Sequence, residues 1–311
     1  PRTAGAASIF SRQLETGDRL THGDVAFHVQ GASLAQGQIE KPYQIEAEIL
    51  LANYFGISRE RIFAHPSAKI SSKNFDGFFQ QCALRARGLP LAYLTHHKEF
   101  FGLDFYVDER VLIPRPETEI LVEAVVERLL KMDTVSVCDV GTGSGCIAIS
   151  LAKMWPDAKI TACDISSEAL KVAKKNAKIH DVLGRVEFIK SDLMSAVSDR
   201  HFDFIVANLP YIAEDEKHLV DKEVLGYEPK EALFGGETGL ELFEKLFKQL
   251  TNLYPSPLTP HPSTLVCEIG FNQRLAIKKL IKRYFGNVDV EWKKDLAGIN
   301  RAFILNFQLY V

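Results

Sequence analysis

The sequence predicts an α/β fold, a doubly wound and mostly parallel sheet preceded by a small helical domain. Three observations predict it. From Val135 onward, short apolar strand segments alternate with helical segments. A glycine-rich loop, Gly141-Thr142-Gly143-Ser144-Gly145, joins the first of these strands to the first helix. Before residue 91, by contrast, the apolar residues recur at helical spacing.

Residues 1–24 carry Arg2, Arg12 and Arg19 but no apolar signal core, and Glu15 and Asp18 argue against a targeting segment. A disordered extension is expected there. The helical domain is expected over 25–90. Ile45, Ile49, Leu50 and Phe55 place one helix at Tyr43–Phe55, stopped by Gly56. Phe75, Phe78, Phe79, Cys82 and Leu84 place another at Asn74–Arg87, ended by Gly88 and Pro90. Residues 91–113 read as extended, and the alternation of Leu103, Phe105 and Val107 predicts a hairpin linker. Ile113-Pro114-Arg115-Pro116-Glu117-Thr118 then forms a stiff lead into a helix over Glu117–Lys131, since each proline fixes φ.

The last domain is expected over 114–311. Its strands are expected at Val135–Val140, Lys159–Cys163, Val186–Ile189, Phe204–Ala207 and Thr264–Ile269. Its helices are expected at Ile147–Met154, Ser167–His180 and Leu240–Leu253. Val288–Trp292 and Ala302–Phe307 have no helix between them, which predicts an antiparallel pair. Tyr254–Pro262 holds four prolines and reads as a surface loop.

Composition narrows the function. The 311 residues suit two domains. Thirty-seven Lys and Arg against forty Asp and Glu leave a net charge of −3, which argues against holding nucleic acid by bulk charge. Residues 1–98 carry 11 basic and 8 acidic side chains, so the N-terminal part is mildly basic. That reads first as a solvated surface and second as a docking face for a macromolecule. The five cysteines form no Cys-x-x-Cys pair, so neither a zinc site nor a disulfide scaffold is expected. His96-His97 lacks a third metal ligand nearby. No apolar run is long enough to cross a bilayer.

The glycine loop points to a nucleotide-type ligand. Glycines let the backbone approach a ligand, and a helix N-terminus offers N–H donors. A dinucleotide fingerprint would need glycine at 146, where Cys146 stands, and no Gly-Lys-Ser/Thr follows to make a P-loop. Gly-x-Gly-x-Gly behind Asp139 instead resembles the class I S-adenosylmethionine loop. Asp164 ends the second strand, 23 residues after Gly141, where a carboxylate can accept two ribose hydroxyls. Asp192 follows the third strand, where it can accept from an adenine amine. A turn or N-cap role is the plainer reading of each aspartate alone. Three such features at consecutive strand ends weigh against it.

Asn208-Leu209-Pro210-Tyr211 ends the fourth strand. It resembles the (Asn/Asp)-Pro-Pro-Tyr motif of methyltransferases acting on planar nitrogens, whose delocalised lone pair makes them poor nucleophiles. The Asn208 side-chain oxygen and the Leu209 carbonyl would accept from the NH₂ group, and Tyr211 would pack on the planar group. Leu209 replaces the commoner proline, but a backbone carbonyl does not depend on its side chain, and Pro210 keeps residue 209 extended.

Over roughly residues 40–311 the chain resembles the HemK/PrmC protein-(glutamine-N5) methyltransferases, which modify peptide chain release factors. The stretches that carry the resemblance are Glu99–Leu103, Leu112–Glu119, the glycine loop, Asn208–Tyr211, Tyr227-Glu228-Pro229, Ala232–Gly236 and Glu268-Ile269-Gly270. Asp295–Arg301 matches in part, with Ile299 where the family usually has arginine.

The resemblance implies a class I S-adenosylmethionine-dependent methyltransferase fold, with a seven-stranded sheet and an antiparallel last strand. Its helical N-terminal domain would recognise the substrate. The donor would be S-adenosyl-L-methionine and the product S-adenosyl-L-homocysteine. Cofactor contacts would fall on Gly141, Thr142, Gly143, Ser144, Gly145, Asp164, Ile165, Asp192, Leu193 and Asn208. Substrate contacts would fall on Asn208, Leu209, Pro210, Tyr211, Arg115 and Glu117, the last two bracing the linker. The substrate would be the Gln of a Gly-Gly-Gln loop in a class I release factor. No metal and no membrane partner are implied, and a monomer in the cytoplasm, or in a mitochondrial or plastid matrix, is expected. The alternative is a DNA or RNA base N-methyltransferase, which would need a basic channel for an extruded base. A Rossmann dehydrogenase and a non-enzymatic binding protein are weaker readings.

Overall fold

The computed structural model describes residues 41–65, 75–129, 135–253 and 264–307. The expectations for 1–24, for 25–40 and for the proline-rich 254–262 loop lie outside the described residues. So does the expected end of the 117–131 helix. The chain divides into two compact units, one of residues up to His96 joined by Lys222–Tyr227, and one of His97–Asp221 with Glu228–Val311.

In the first unit, α1 (Lys41–Phe55), α2 (Arg59–Ala64), α3 (Phe75–Ala86) and α4 (Leu91–Thr95) surround a small core. Leu50, Leu51, Phe78, Cys82 and Leu94 are buried there, and Tyr54 and Phe55 pack on Phe78. Ser58 caps α2 by accepting from the Arg61 N–H. Arg85 on α3 joins two elements far apart in sequence. It donates to both carboxylate oxygens of Glu46 at 2.8 and 3.0 Å and to Glu223 of the short helix Lys222–Tyr227 at 2.8 Å. Residues 91–95, expected to be extended, are helical. Pro90 sets the entry with φ −54°, Tyr93 and Leu94 bury on one side, and His96 stops the turn at φ 52°.

In the second unit, β1 (Lys98–Phe100) and β2 (Leu103–Phe105) form the expected antiparallel hairpin. A 3₁₀ turn at Pro116–Thr118 leads into α5 (Glu119–Leu129). Then come β3 (Ser136–Val140), α6 (Cys146–Met154), β4 (Lys159–Asp164), α7 (Ser167–Ile179), β5 (Val186–Lys190), β6 (Phe204–Ala207), β7 (Ile212–Ala213) and β8 (Phe234–Gly236). The chain continues through α8 (Glu241–Leu253), β9 (Thr264–Glu268), α9 (Arg274–Phe285), β10 (Val290–Lys294) and β11 (Asn300–Asn306).

Among the described residues the main sheet has seven strands in the order β10-β11-β9-β6-β3-β4-β5. β9, β6, β3, β4 and β5 run parallel, and β11 is antiparallel to both neighbours. Successive strand residues face opposite sides, so the sheet feeds two cores. Val137, Val206, Val266 and Ile304 join the core with the hairpin, α5 and α6. Cys138, Ile205, Leu265 and Phe303 join the core with α8 and α9. This is doubly wound packing, and it aligns the carboxyl ends of five strands along one edge. Among the described residues no helix is long and apolar enough to cross a membrane.

Candidate active site

The chain reverses its direction of winding at β3: β4 and β5 lie to one side, β6 and β9 to the other. Open α/β sheets bind ligands at such a point, beyond the strand carboxyl ends. The glycine loop, Asp164, Asp192 and Asn208 all lie along this edge.

Gly141, Gly143 and Gly145 all have positive φ, which is why glycine occupies each. The loop is held by its own backbone. Gly141 and Thr142 N–H both donate to the Cys163 carbonyl at 2.9 Å, and Gly145 N–H donates to Thr142 at 2.8 Å. These three amides therefore serve the loop rather than a ligand. The Thr142 side chain is buried and donates to Asp139 at 2.6 Å, and the Ser144 carbonyl accepts from Asn176. Asp139 lies wholly beneath the loop and also accepts from Ala148 N–H. Its burial pushes the carboxyl up to about 7, against the pull of these two hydrogen bonds.

Asp164 is oriented by two backbone donors, Gly143 N–H to one oxygen at 2.9 Å and Ser166 N–H to the other at 2.8 Å. Burial raises its carboxyl above the ordinary range while these bonds oppose the rise. Each oxygen keeps a lone pair for a further donor. Ile165 beside it is exposed, an apolar face next to the acceptor. Asp192 is ion-paired with Lys245 of α8. Leu193 is buried at φ 53°, and Gln249 holds this turn by donating to Asp192 O and accepting from Met194 N–H. A Cβ on Gly143 would meet nothing nearer than 4.0 Å, so this part of the loop faces open space. The Asp164 acceptor beside this open part of the loop suits a donor-rich nucleoside such as S-adenosylmethionine.

The tetrapeptide closes the other side. A Cβ on Gly141 would lie 3.5 Å from Leu209 Cδ2 and 3.6 Å from the Asn208 carbonyl, so the two segments are in contact. Leu209 is buried in the core below. Asn208 donates from Nδ2 to Thr118 Oγ1 at 3.0 Å, and Thr118 donates to Glu268 Oε2 at 2.6 Å. Tyr211 donates its hydroxyl to the other oxygen, Glu268 Oε1, at 3.3 Å. Glu268 ends β9, and burial pushes its carboxyl up to about 7. Burial, then the Glu268 charge, raises the Tyr211 phenol above its ordinary range.

The small parallel pair β7–β8 holds Pro210 and Tyr211 in place. A Cβ on Gly235 would lie 2.3 Å from the Pro210 carbonyl oxygen, and one on Gly239 2.2 Å from that of Tyr211. Only glycine permits this approach of backbone to backbone. Gln273 completes the hold, donating to the Tyr211 carbonyl at 2.8 Å and accepting from Gly270 N–H. Gly235→Ala is therefore expected to lower stability by about 1–3 kcal/mol, as overpacking does, and to lower turnover by shifting Pro210. Thermal melts and kcat check this; a stable and fully active variant would mean the strand pair does not hold the tetrapeptide.

Arg115 donates to Glu228 Oε1 at 2.6 Å, and Ile113 N–H donates to Glu228 Oε2 at 3.1 Å. Glu228 is buried, so these bonds pin the Ile-Pro-Arg-Pro stretch to Glu228. Glu117 is half-buried and acts on Glu268 and Arg301 through its charge. His97 bonds Asp104 at 2.7 Å. Among the described residues no cluster of His, Cys, Asp and Glu could hold a metal ion.

Sequence reasoning missed Thr118, Glu268, Glu228, Gln273 and Gly235 as parts of the site. The strand-end rule that singled out Asp164 and Asp192 applies equally to Glu268. No local signal joins Thr118 to a residue 150 positions away.

Residues 30–95 match the family described as the PrmC N-terminal domain, and residues 116–233 match the methyltransferase small domain. The release factor glutamine methyltransferase of Koribacter versatilis is 38% identical over 263 residues, covering 84% of this chain and 90% of that protein. The protein of the same name from Chlorobaculum tepidum is 40% identical over 224 residues, 69% of this chain and 76% of that one. The bifunctional methyltransferase of Rickettsia prowazekii is 34% identical over 276 residues, 83% of this chain and 52% of that protein. Among solved structures, the hMettl16 catalytic domain in complex with MAT2A 3′UTR hairpin 6 superposes with a TM-score of 0.54 at 19% identity, over 73% of this chain and 82% of that one. That likeness bears on the fold alone, the class I methyltransferase sheet. The identities to full-length relatives, over a site built from these strand ends, place the chain in the release factor glutamine methyltransferase family.

Proposed function

We propose that this chain transfers a methyl group from S-adenosylmethionine to the side-chain amide nitrogen of the Gln in the Gly-Gly-Gln motif of peptide chain release factors. The observation that carries the proposal is the contact of Asn208-Leu209 with Gly141 of the glycine loop, beside which the Asn208 side-chain oxygen and the Leu209 carbonyl would accept from an amide NH₂. The names of the relatives support the same substrate.

When bound, S-adenosylmethionine supplies a methyl carbon made electrophilic by the sulfonium. Asp164 would accept its ribose hydroxyls and Asp192 its adenine amine, with Ile165 and Leu193 against the base. The loop from Gly141 to Gly145, its Thr142 and Ser144 side chains turned inward, would bring backbone close to the donor. Asn208 Oδ1 and the Leu209 carbonyl would hold the two N–H bonds of the substrate amide and turn its nitrogen toward the methyl. Those N–H groups become stronger donors as the nitrogen gives up its lone pair, so both acceptors act most in the transition state. Pro210 and Tyr211 would confine the planar group, and Arg115 and Glu117 would brace the segment that carries Thr118. Within 25–90 and 114–311, we assign substrate recognition to the helical domain and chemistry to the other. We place the protein in solution as a cytoplasmic monomer.

The test supplies labelled donor with a release factor, with its Gln→Ala variant, or with nucleic acid. Label in the release factor that is lost with Gln→Ala supports the proposal. Label in nucleic acid alone would favour a base N-methyltransferase and sink it.

A further inference from the structure

Glu268 lies at the carboxyl end of β9, one strand over from Asn208, and contacts neither the glycine loop nor Asp164 by any described hydrogen bond. Its two oxygens nevertheless reach both ends of the tetrapeptide, Oε1 through Tyr211 and Oε2 through Thr118 and then Asn208. Resting on the role proposed above for Asn208, we infer that Glu268 is a positioning residue for the transfer, its carboxylate dictating through the Thr118 hydroxyl which face of the Asn208 amide meets the substrate.

An ionised carboxylate only accepts. The single Thr118 hydroxyl hydrogen is therefore committed to Glu268, at 2.6 Å. The same oxygen, 3.0 Å from the Asn208 amide, can then only accept there. It must face Nδ2, which leaves Oδ1 turned away from Thr118 and available to accept from a substrate N–H. The orientation of an asparagine amide is read from such a network, and here the network admits one answer.

Protonating Glu268 removes the constraint. A carboxylic acid can donate to Thr118, which frees the hydroxyl hydrogen for Asn208 Oδ1. The amide can then flip and set its own NH₂ against the substrate NH₂, an unproductive meeting of donors. Burial raises Glu268 to about 7. Glu117 on the neighbouring 3₁₀ turn adds to the rise, while Thr118, Tyr211 and Arg301 of β11 oppose it. The chain thus carries a carboxyl whose ionisation in the neutral range orients the amide, and kcat should climb as pH rises through that range. Asp139, under the glycine loop, titrates in the same range, so the test must separate the two.

The experiment measures kcat, KM for release factor and Kd for S-adenosylmethionine of the full chain between pH 5.5 and 9. The variants are Glu268→Gln, Thr118→Val and Thr118→Ser. A misoriented catalytic group costs up to about 10²-fold, so Glu268→Gln and Thr118→Val are expected to lose roughly 10- to 100-fold in kcat at pH 8.5. Kd should stay within a few-fold, and the rise of kcat through neutral pH should flatten. Thr118→Ser, which restores the hydroxyl, is expected to recover most of the loss and the rise. Thr118→Val is nearly isosteric and decides the matter if Glu268→Gln fails to fold. A Thr118→Val enzyme with wild-type kcat, or with the rise intact and so owed to Asp139, overturns the inference. If Asn208→Ala lowers kcat while the Thr118 and Glu268 variants do not, this inference alone falls. If Asn208→Ala is also without effect, the proposed role of Asn208 falls with it.

Discussion

Asn208→Ala is expected to lower kcat for release-factor methylation by about 10²–10³-fold, the usual cost of removing one donor or acceptor aimed at developing charge. Binding of S-adenosylmethionine should change far less, because the contact strengthens only as the amide nitrogen rehybridises. Single-turnover kinetics beside calorimetry separates the two. Asn208→Asp sharpens the test. Asn208 donates to Thr118 as well as offering an oxygen, and Thr118 has one hydrogen, already given to Glu268. An aspartate would turn an acceptor toward that oxygen in place of a donor. Asn208→Asp is therefore expected to lose nearly as much as Asn208→Ala, although it keeps an acceptor for the substrate. A variant at 208 with unchanged kcat would place the active site at the wrong strand end.

Asp164→Ala is expected to weaken S-adenosylmethionine by roughly 1.5–3 kcal/mol, the range for hydrogen bonds to a charged group. That corresponds to about tenfold or more in Kd. It also leaves Gly143 and Ser166 N–H without their acceptor, which loosens the loop. Asp164→Asn should not rescue binding. Each carboxylate oxygen faces a backbone N–H, so the asparagine NH₂ must meet one of them, donor against donor. Calorimetric titration of both variants checks this, and unchanged affinity would refute the ribose assignment.

The sheet was legible because its strands are apolar runs set between helices of clear periodicity, and because the glycine loop marks the first βα turn. The antiparallel close at β10–β11 followed from the lack of a helix between those strands. Shorter elements escaped. Leu91–Thr95 is too brief to show a helical period, and the apolar run before the hairpin read as strand. The β7–β8 pair joins strands of two and three residues across a long excursion, so no alternation could reveal it. Of the site, the acidic strand ends and the tetrapeptide could be found because each sits beside its own strand. Thr118 and Glu228 bond partners 90 or more residues distant and Gln273 bonds Tyr211 across 62, so no local pattern shows these contacts. The inward turn of Thr142 and Ser144 was equally hidden, since a loop sequence does not state which way a hydroxyl points.

Peptide mapping of the reaction product shows which atom of the release factor receives the methyl group. A release factor incubated with this enzyme and S-adenosylmethionine is digested, and the Gly-Gly-Gln peptide is fragmented by mass spectrometry. One added methyl is expected on the side-chain amide of that glutamine, absent when the Asn208→Ala variant replaces the enzyme. A methyl found on any other residue of the release factor, or an unmodified peptide from an enzyme that binds S-adenosylmethionine normally, would contradict this expectation.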